Sequence, residues 1–474
     1  MITEAIFRWA EATPDRTALI YNGRIASFRM FAAQIAIARG YFARQGWVGP
    51  GVAVLAIQNL RDFWLLSLAL RSLGATTITI GDPALVERLD LPDVRGVITS
   101  PAEAWPGLAE RCTERGLELL VASPGGATPM TLDAGGSAQP PGGHILETSG
   151  TTGAFKKVLI DPAFEAQYLG LRQRTNDFDR HSLVNVFGFP AGTGVGYKST
   201  AGAWLAGAGV IIHQSGPLYE ALRIPGMTYA TVTPAMLAVI LAAPEDAFPR
   251  TPAMRLSVTG GSITQSQIDS AKARITPQLY NGLGATESNI IASTALNTPD
   301  DHRWHKLADG AQVEVVDDED RPVAVGQVGH LRVGTAGGPA GYLHDEAATR
   351  TFFRHGFFYT GDLAVVRQDG RIALQGRVTE VINVLGRKIS PAPIEDALRE
   401  ALGVTGVCLA SKQNDAGEEE IHVALETLAP VEIGRLTAAL SRELAGFPQA
   451  HVHYVAALPR NAMGKVLRQA VRNP

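Results

Sequence analysis

Residues 147–157 read Glu-Thr-Ser-Gly-Thr-Thr-Gly-Ala-Phe-Lys-Lys. Hydroxyl side chains and glycines alternate here, and a lysine follows. Glycine lets the backbone turn its N–H groups toward an anion, hydroxyls add donors, and an ammonium adds a point charge. This is chemistry suited to a polyphosphate. The spacing differs from Gly-x-x-x-x-Gly-Lys-Ser/Thr, so it is not a P-loop. Taken alone, the same composition also describes an ordinary surface loop.

Four other stretches carry side chains with chemical potential. Residues 281–287 read Asn-Gly-Leu-Gly-Ala-Thr-Glu, which alone also fits a glycine turn before a helix capped by Thr286. Tyr359-Thr360-Gly361-Asp362 is followed by Gly376-Arg377, which alone fits a turn aspartate and a surface arginine. Residues 376–395 contain Gly-Arg-Val-Thr-Glu and then Gly386-Arg387-Lys388, which alone fits an exposed basic turn. Leu458–Arg468 reads Leu-Pro-Arg-Asn-Ala-Met-Gly-Lys-Val-Leu-Arg.

In this order the motifs resemble those of the adenylate-forming superfamily: acyl- and aryl-CoA synthetases, peptide-synthetase adenylation domains and luciferases. The phosphate loop there is Thr-Ser-Gly-Ser/Thr-Thr-Gly-x-Pro-Lys-Gly. Thr148, Ser149, Gly150, Thr151, Thr152 and Gly153 match it without a gap, and Lys156 matches its lysine. Glu147, Phe155 and Lys157 depart from the usual aromatic, proline and glycine. The resemblance implies that Thr286 donates to the α-phosphate of ATP and that Glu287 holds Mg²⁺. It implies that Asp362 accepts from the ribose hydroxyls with Arg377 supporting it, and that Gly260 and Gly261 belong to the nucleotide site. Leu283 stands where an aromatic usually packs on adenine. Lys465, in Pro-x-x-x-x-Gly-Lys-x-x-Arg, would bridge the attacking carboxylate and the α-phosphate. Gly386, Arg387 and Lys388 would meet the thiol arm of the acceptor. Thr379 occupies the hinge position, commonly an aspartate. Gly192, Lys198, Gly282 and Leu283 would shape the acid pocket, with a surface lysine as the other reading of Lys198. No Asp or Glu lies between Asn185 and Ala208, which argues against an ordinary α-amino acid.

The implied reaction is ATP-dependent activation of a small carboxylic acid to an acyl-adenylate with release of pyrophosphate, followed by transfer to the thiol of CoA. A stand-alone enzyme loading the phosphopantetheine of a separate carrier protein shares the first step. A non-catalytic nucleotide-binding module is the reading from another class, and intact Glu287, Asp362 and Lys465 argue against it.

The elements that must position these residues can be read from pattern. Phe31–Gln45 and Phe63–Leu73 carry helical spacing, while Gly51–Ile57 and Ala75–Ile80 read as buried strands. More strands are expected near 183–188, 209–213, 228–232 and 255–259, then short ones at Ala311–Val316, His330–Val333, Ala364–Arg367 and Arg371–Leu374. Asp369-Gly370 reads as a hairpin turn between the last two. Helices near 393–402 and 432–446 and a strand near 451–456 close the chain. The expected fold class is α/β. The resemblance implies that residues 1–376 form a large domain of stacked α/β sheets with a β-rich subdomain, and 377–474 a small mobile α+β lid.

The bulk numbers agree. The 474 residues are 46% hydrophobic and 19% charged, enough apolar content for a large core. A net charge of −4 gives no footprint for nucleic acid or an anionic membrane. Cys112 and Cys408 have neither metal-ligand nor disulfide-framework spacing, and the first residues lack a signal-peptide pattern, so a cytoplasmic protein is expected. The apolar run Ala201–Ile212 is too short to span a bilayer. Only eight lysines occur, none before residue 156, so a retained lysine carries information that an arginine in this chain does not.

Overall fold

Alternating apolar runs and helical stripes in the first half of the chain become two sheets with helices packed between them. A computed structural model describes residues 2–103, 105–132, 139–148, 156–384, 387–414, 419–460 and 466–468. The first sheet has the order Glu118–Val121, Val94–Thr99, Val52–Leu55, Thr76–Thr79, His144–Thr148, Lys156–Ile160. It is parallel except for the last pair. The second runs Asn289–Ala295, Leu279–Ala285, Arg255–Thr259, Tyr229–Val232, Leu183–Asn185, Gly209–Ile212, Thr17–Tyr21, Arg24–Ser27. Its centre is parallel, and an antiparallel strand closes each edge. The fold is mixed α/β, with large N-terminal sheets and a smaller C-terminal β-containing domain.

The helix Leu60–Ser72 sits between the sheets and is buried on nearly every face, its polar Ser67, Arg71 and Ser72 included. Its Trp64 meets Trp204 edge-on at 5.1 Å and stacks on Tyr197 at 5.5 Å. Phe31 packs on Trp204 from the helix Phe28–Arg44. Ser27 caps that helix by accepting from the Met30 N–H. The run Ala201–Ile212 is core: the end of the helix Gly194–Leu205 and the strand Gly209–Ile212. Among the described residues no helix is long and apolar enough to cross a membrane.

A third, antiparallel sheet contains Val313–Val316, Val328–Gly334, Phe357–Val366 with Phe353–Arg354, and Ile372–Arg377. Beyond it come the hairpin Ile382–Val384 with Arg387–Ile389 and a sheet of Gly406–Gln413, Glu419–Glu426 and His451–Val455. The helices Pro391–Leu402 and Ile433–Glu443 pack on this last sheet around Leu398, Leu409, Val423 and Leu436. Gly370 takes φ +78° in the turn before Ile372–Arg377, the left-handed conformation glycine adopts without strain.

Two alternative local readings are excluded. The segment around 281–287 is a strand, Leu279–Ala285, followed by a tight turn into the strand Asn289–Ala295, so Thr286 caps no helix. Glycines 282 and 284 hide the strand pattern. The register shifts between Leu283 and Gly284, and a Cβ on Gly284 would stand 2.5 Å from the Asn289 carbonyl. Likewise, Asp362 is not in a turn. It lies inside the strand Phe357–Val366, directly opposite Arg377.

Candidate active site

Residues from separate sheets come together around Lys156, Glu287 and Tyr342. Thr148 and Lys156 are cross-strand partners and hold the two ends of the Gly/Thr loop against the first sheet. Ser149, Gly150, Thr151, Thr152 and Gly153 lie outside the described residues, as do Gly386 and Lys465. Lys156 Nζ sits 3.9 Å over the Phe352 ring and 5.2 Å over the Tyr342 ring. Burial there lowers the Lys156 pKa, while Glu287 and Asp345 pull it back up and Arg377 opposes them. The phosphate-loop lysine, the Thr-Glu motif and the Tyr-Thr-Gly-Asp…Arg motif thus act on each other in space.

Glu287 is 9% exposed and accepts a hydrogen bond from the Tyr342 hydroxyl at 2.8 Å. Burial and this carboxylate hold the Tyr342 phenol protonated, far above its ordinary range. Tyr342 is a site residue that sequence reading missed. Its signal is slight: an aromatic after Gly341, shortly before a helix capped by Asp345. The Arg377 Nε pairs with Asp362 Oδ1 at 2.7 Å, and its Nη1 donates to the Thr360 carbonyl at 2.9 Å. The pair fixes one face of the carboxylate.

The backbone at Ala285–Thr286 is held from below. Lys198 Nζ donates to the Ala285 carbonyl at 2.9 Å and to that of Thr286 at 2.8 Å. The Tyr168 hydroxyl donates to the same Thr286 carbonyl at 2.9 Å, and its ring lies 5.0 Å from the ammonium. Lys198 is 1% exposed, so it is not a surface lysine, and it is not among the residues lining the cavity described next. Burial pushes its pKa well below the ordinary value, Arg172 lowers it further, and Glu287 raises it.

A small cavity of about 20 Å³ opens along the strand that leads to Thr286. Gly282 and Leu283 line it, with Arg172, Tyr229, Thr231 and Ser257. Gly192 stands elsewhere: its carbonyl accepts from the Glu147 N–H at 3.3 Å, and a Cβ there would collide with Thr79. Gly260 and Gly261 follow the strand Arg255–Thr259 at its C-terminal end, and Gly260 has φ +86°. Crevices outside such strand ends are where open α/β sheets bind ligands.

The residues expected to form the hinge and to meet the thiol arm belong to later elements of the chain. Thr379 is exposed in a single helical turn, Val378–Glu380. Arg387 belongs to a hairpin strand rather than a loose turn. Its Nη1 donates to the Gly446 carbonyl at 2.6 Å, and its guanidinium lies over Phe447 at 3.9 Å. Lys388 shares that strand, opposite Asn383.

Comparisons with known proteins fit this geometry. The profile of the AMP-binding enzyme family matches residues 6–343. A plipastatin synthase polypeptide of Bacillus subtilis (strain 168) is 27% identical over 98% of this chain, which corresponds to 19% of that protein. The fatty acid–[acyl-carrier-protein] ligase ScoC of Streptomyces coeruleorubidus is 27% identical over 69% of this chain and 66% of its own length. The chain therefore spans about a fifth of the synthase it matches end to end. Among solved structures, the o-succinylbenzoate coenzyme A synthetase MenE of Bacillus subtilis, in complex with ATP and magnesium ion, superposes with a TM-score of 0.82. The identity is 20%, over 99% of both chains. With a family match over residues 6–343, most of its length, this chain belongs to the AMP-binding enzyme family of adenylate-forming ligases.

Proposed function

We propose that this protein activates a small carboxylic acid with ATP and passes the acyl group to the thiol of CoA. One carboxylate oxygen of the acid attacks the α-phosphorus, the bond to the β-phosphate oxygen breaks, and pyrophosphate leaves. The thiol sulfur then attacks the acyl carbon, the bond to AMP breaks, and the thiol proton goes to solvent. The observation that carries this reading is that Glu287 and Arg377, itself paired with Asp362, both act on the charge of Lys156. Positioning and charge neutralisation do most of the work in reactions of this type.

Lys156 and the Thr148–Gly153 loop would hold the phosphates, and Asp362, oriented by Arg377, would accept from the ribose hydroxyls. Gly260 and Gly261 would leave room for the nucleotide. Thr286 would donate to the α-phosphate from a turn that Lys198 and Tyr168 brace. Mg²⁺ fits Glu287: one oxygen is occupied by Tyr342, and the other accepts no hydrogen bond among the described residues. No group of three or more His, Cys, Asp and Glu side chains there could hold a metal unaided. That suits an ion that takes one or two carboxylates and completes its shell with phosphate oxygens and water. Bound there, Mg²⁺ would neutralise phosphate charge. Lys465, from the lid formed by residues 377–474, would bridge the acid and the α-phosphate over the body formed by 1–376.

A second reading, loading a carrier protein's phosphopantetheine, is supported by ScoC and the plipastatin synthase among the relatives. The test is pyrophosphate release with a panel of acids and no thiol, with Lys465→Ala as control. Release that depends on the acid and falls by at least ~100-fold in the variant is expected, the size of losing one aimed charge in a transition state. ATP binding without release for any acid would sink the proposal in favour of a binding module. CoA and a carrier protein are then compared as acceptors.

A further inference from the structure

The cavity beside the Thr-Glu turn is polar at one wall. Arg172, on the helix Pro162–Asn176, faces it together with the hydroxyl residues Thr231, Ser257 and Thr259. Thr259 donates to the Gly282 carbonyl at 2.9 Å, while Thr231 and Ser257, both buried, make no side-chain hydrogen bond among the described residues. The Arg172 Nε donates to Asn289 Oδ1 at 3.3 Å and its Nη1 to Ser199 Oγ at 3.1 Å. Both acceptors are neutral, and Nη2 has none among the described residues. No carboxylate there pairs with this guanidinium.

A second cation, Lys198, stands near enough for Arg172 to disfavour its charge. Among the described residues its ammonium is met by backbone carbonyls alone, and Glu287 is the one carboxylate acting on it. Elsewhere the chain pairs a deeply buried arginine: Arg71 meets Glu165 at 2.9 Å, both 1% exposed. Two neighbouring cations in a largely desolvated place, with Glu287, already engaged by Tyr342, the carboxylate that acts on Lys198 and none paired with Arg172 among the described residues, leave the region short of negative charge. A planar guanidinium with a free edge beside unsatisfied hydroxyls is a receptor for a carboxylate.

We propose that Arg172 anchors a second carboxylate on the substrate, so that the acids this protein activates are small dicarboxylates. The reading rests on the adenylation function above, with the carboxylate remote from Arg172 presented toward Thr286. A compact polar end matches the wall formed by Arg172, Thr231, Ser257 and Thr259.

The test uses the full chain with two readouts, thermal stabilisation and pyrophosphate release. The probes are malonate, succinate and glutarate, each against the monocarboxylate of matching length. Wild type should prefer a dicarboxylate by at least about tenfold in kcat/KM, the size of one desolvated charged contact. Arg172→Gln should erase that preference mainly through KM, and Arg172→Lys should keep part of it. Equal turnover of both acid classes, unchanged by Arg172→Gln, would overturn the proposal while leaving adenylation intact. If no acid supports pyrophosphate release, the adenylation reading fails. The anchor then stands if a dicarboxylate still raises the melting temperature of wild type but not of Arg172→Gln, and falls if it raises neither or both.

Discussion

Lys198 and Arg172 are neighbours with opposite expected signatures. The Lys198 ammonium spends its hydrogen bonds on the Ala285 and Thr286 carbonyls, so it braces the turn that carries Thr286 and Glu287. Lys198→Met removes those donors and leaves two carbonyls to find others, at a cost of about 1–3 kcal/mol. The turn should loosen, and pyrophosphate release should fall by ~10-fold or more for every acid alike, because in the proposed reaction Thr286 and Glu287 would serve the nucleotide whichever acid is bound. A change in acid preference with unchanged kcat would instead put Lys198 in the acid pocket. Steady-state kinetics with two acids of different class decides it. Arg172 itself gave no sign in the sequence. It sits in a helix of mixed pattern, and only the tertiary fold brings it to the cavity.

At the scale of elements, the strand that leads into the phosphate loop is fixed at its start by a buried histidine. His144 stacks on Tyr197 at 4.6 Å, and its Nδ1 lies 2.8 Å from Thr77 Oγ1. Tyr197 in turn accepts from Arg71 Nη1 at 2.6 Å and donates to Glu165, which ties the helices Leu60–Ser72, Pro162–Asn176 and Gly194–Leu205 together. Burial, then the Arg71 charge, lowers the His144 pKa to about 3 from 6.5. The sign follows from proton counting. Above the unfolded value neither state binds a proton, and stability from this group is full. As pH falls below about 6.5 the unfolded chain takes up a proton that the folded chain refuses, until about pH 3. Stability should therefore drop by up to ~1.4 kcal/mol per pH unit from this group. Buried His305, lowered to about 4, adds a second such term. Between pH 6.5 and 5, where most carboxylates are still ionised, urea unfolding of His144→Asn should show a shallower pH slope than wild type, though from a lower starting stability. Equal slopes would refute it. Much of this layer was legible beforehand. Val52–Leu55, Thr76–Thr79 and Gly209–Ile212 are β-branched or apolar runs with clear ends, and Pro391–Leu402 has proline at its start and glycine just past its end. The strands flanking Thr286 were not, because Gly282 and Gly284 break the alternation and the left-handed Asn289, at φ 67°, is a turn feature no periodicity reports.

For the molecule as a whole, the proposed two half-reactions need one cleft to be closed twice in different ways. The candidate pivot is the exposed turn Val378–Glu380, between the strand carrying Arg377 and the hairpin carrying Arg387. Arg377 is locked to Asp362, so rotation would have to begin just after it. Thr379 has no side-chain hydrogen bond among the described residues, so nothing local pins the turn to one setting. Motion about such a pivot reassembles an active site between steps. Thr379→Pro fixes one φ and restricts Val378, which narrows the range of settings. If the turn already has the conformation for adenylation, pyrophosphate release should change by less than about threefold. Thioester formation, which needs the second setting, should fall by at least ~10-fold. Rapid-quench measurement of acyl-adenylate and thioester in the same reaction separates the two. An equal loss in both steps would mean that the substitution damages the cleft rather than the pivot. No loss in either would place the rotation elsewhere.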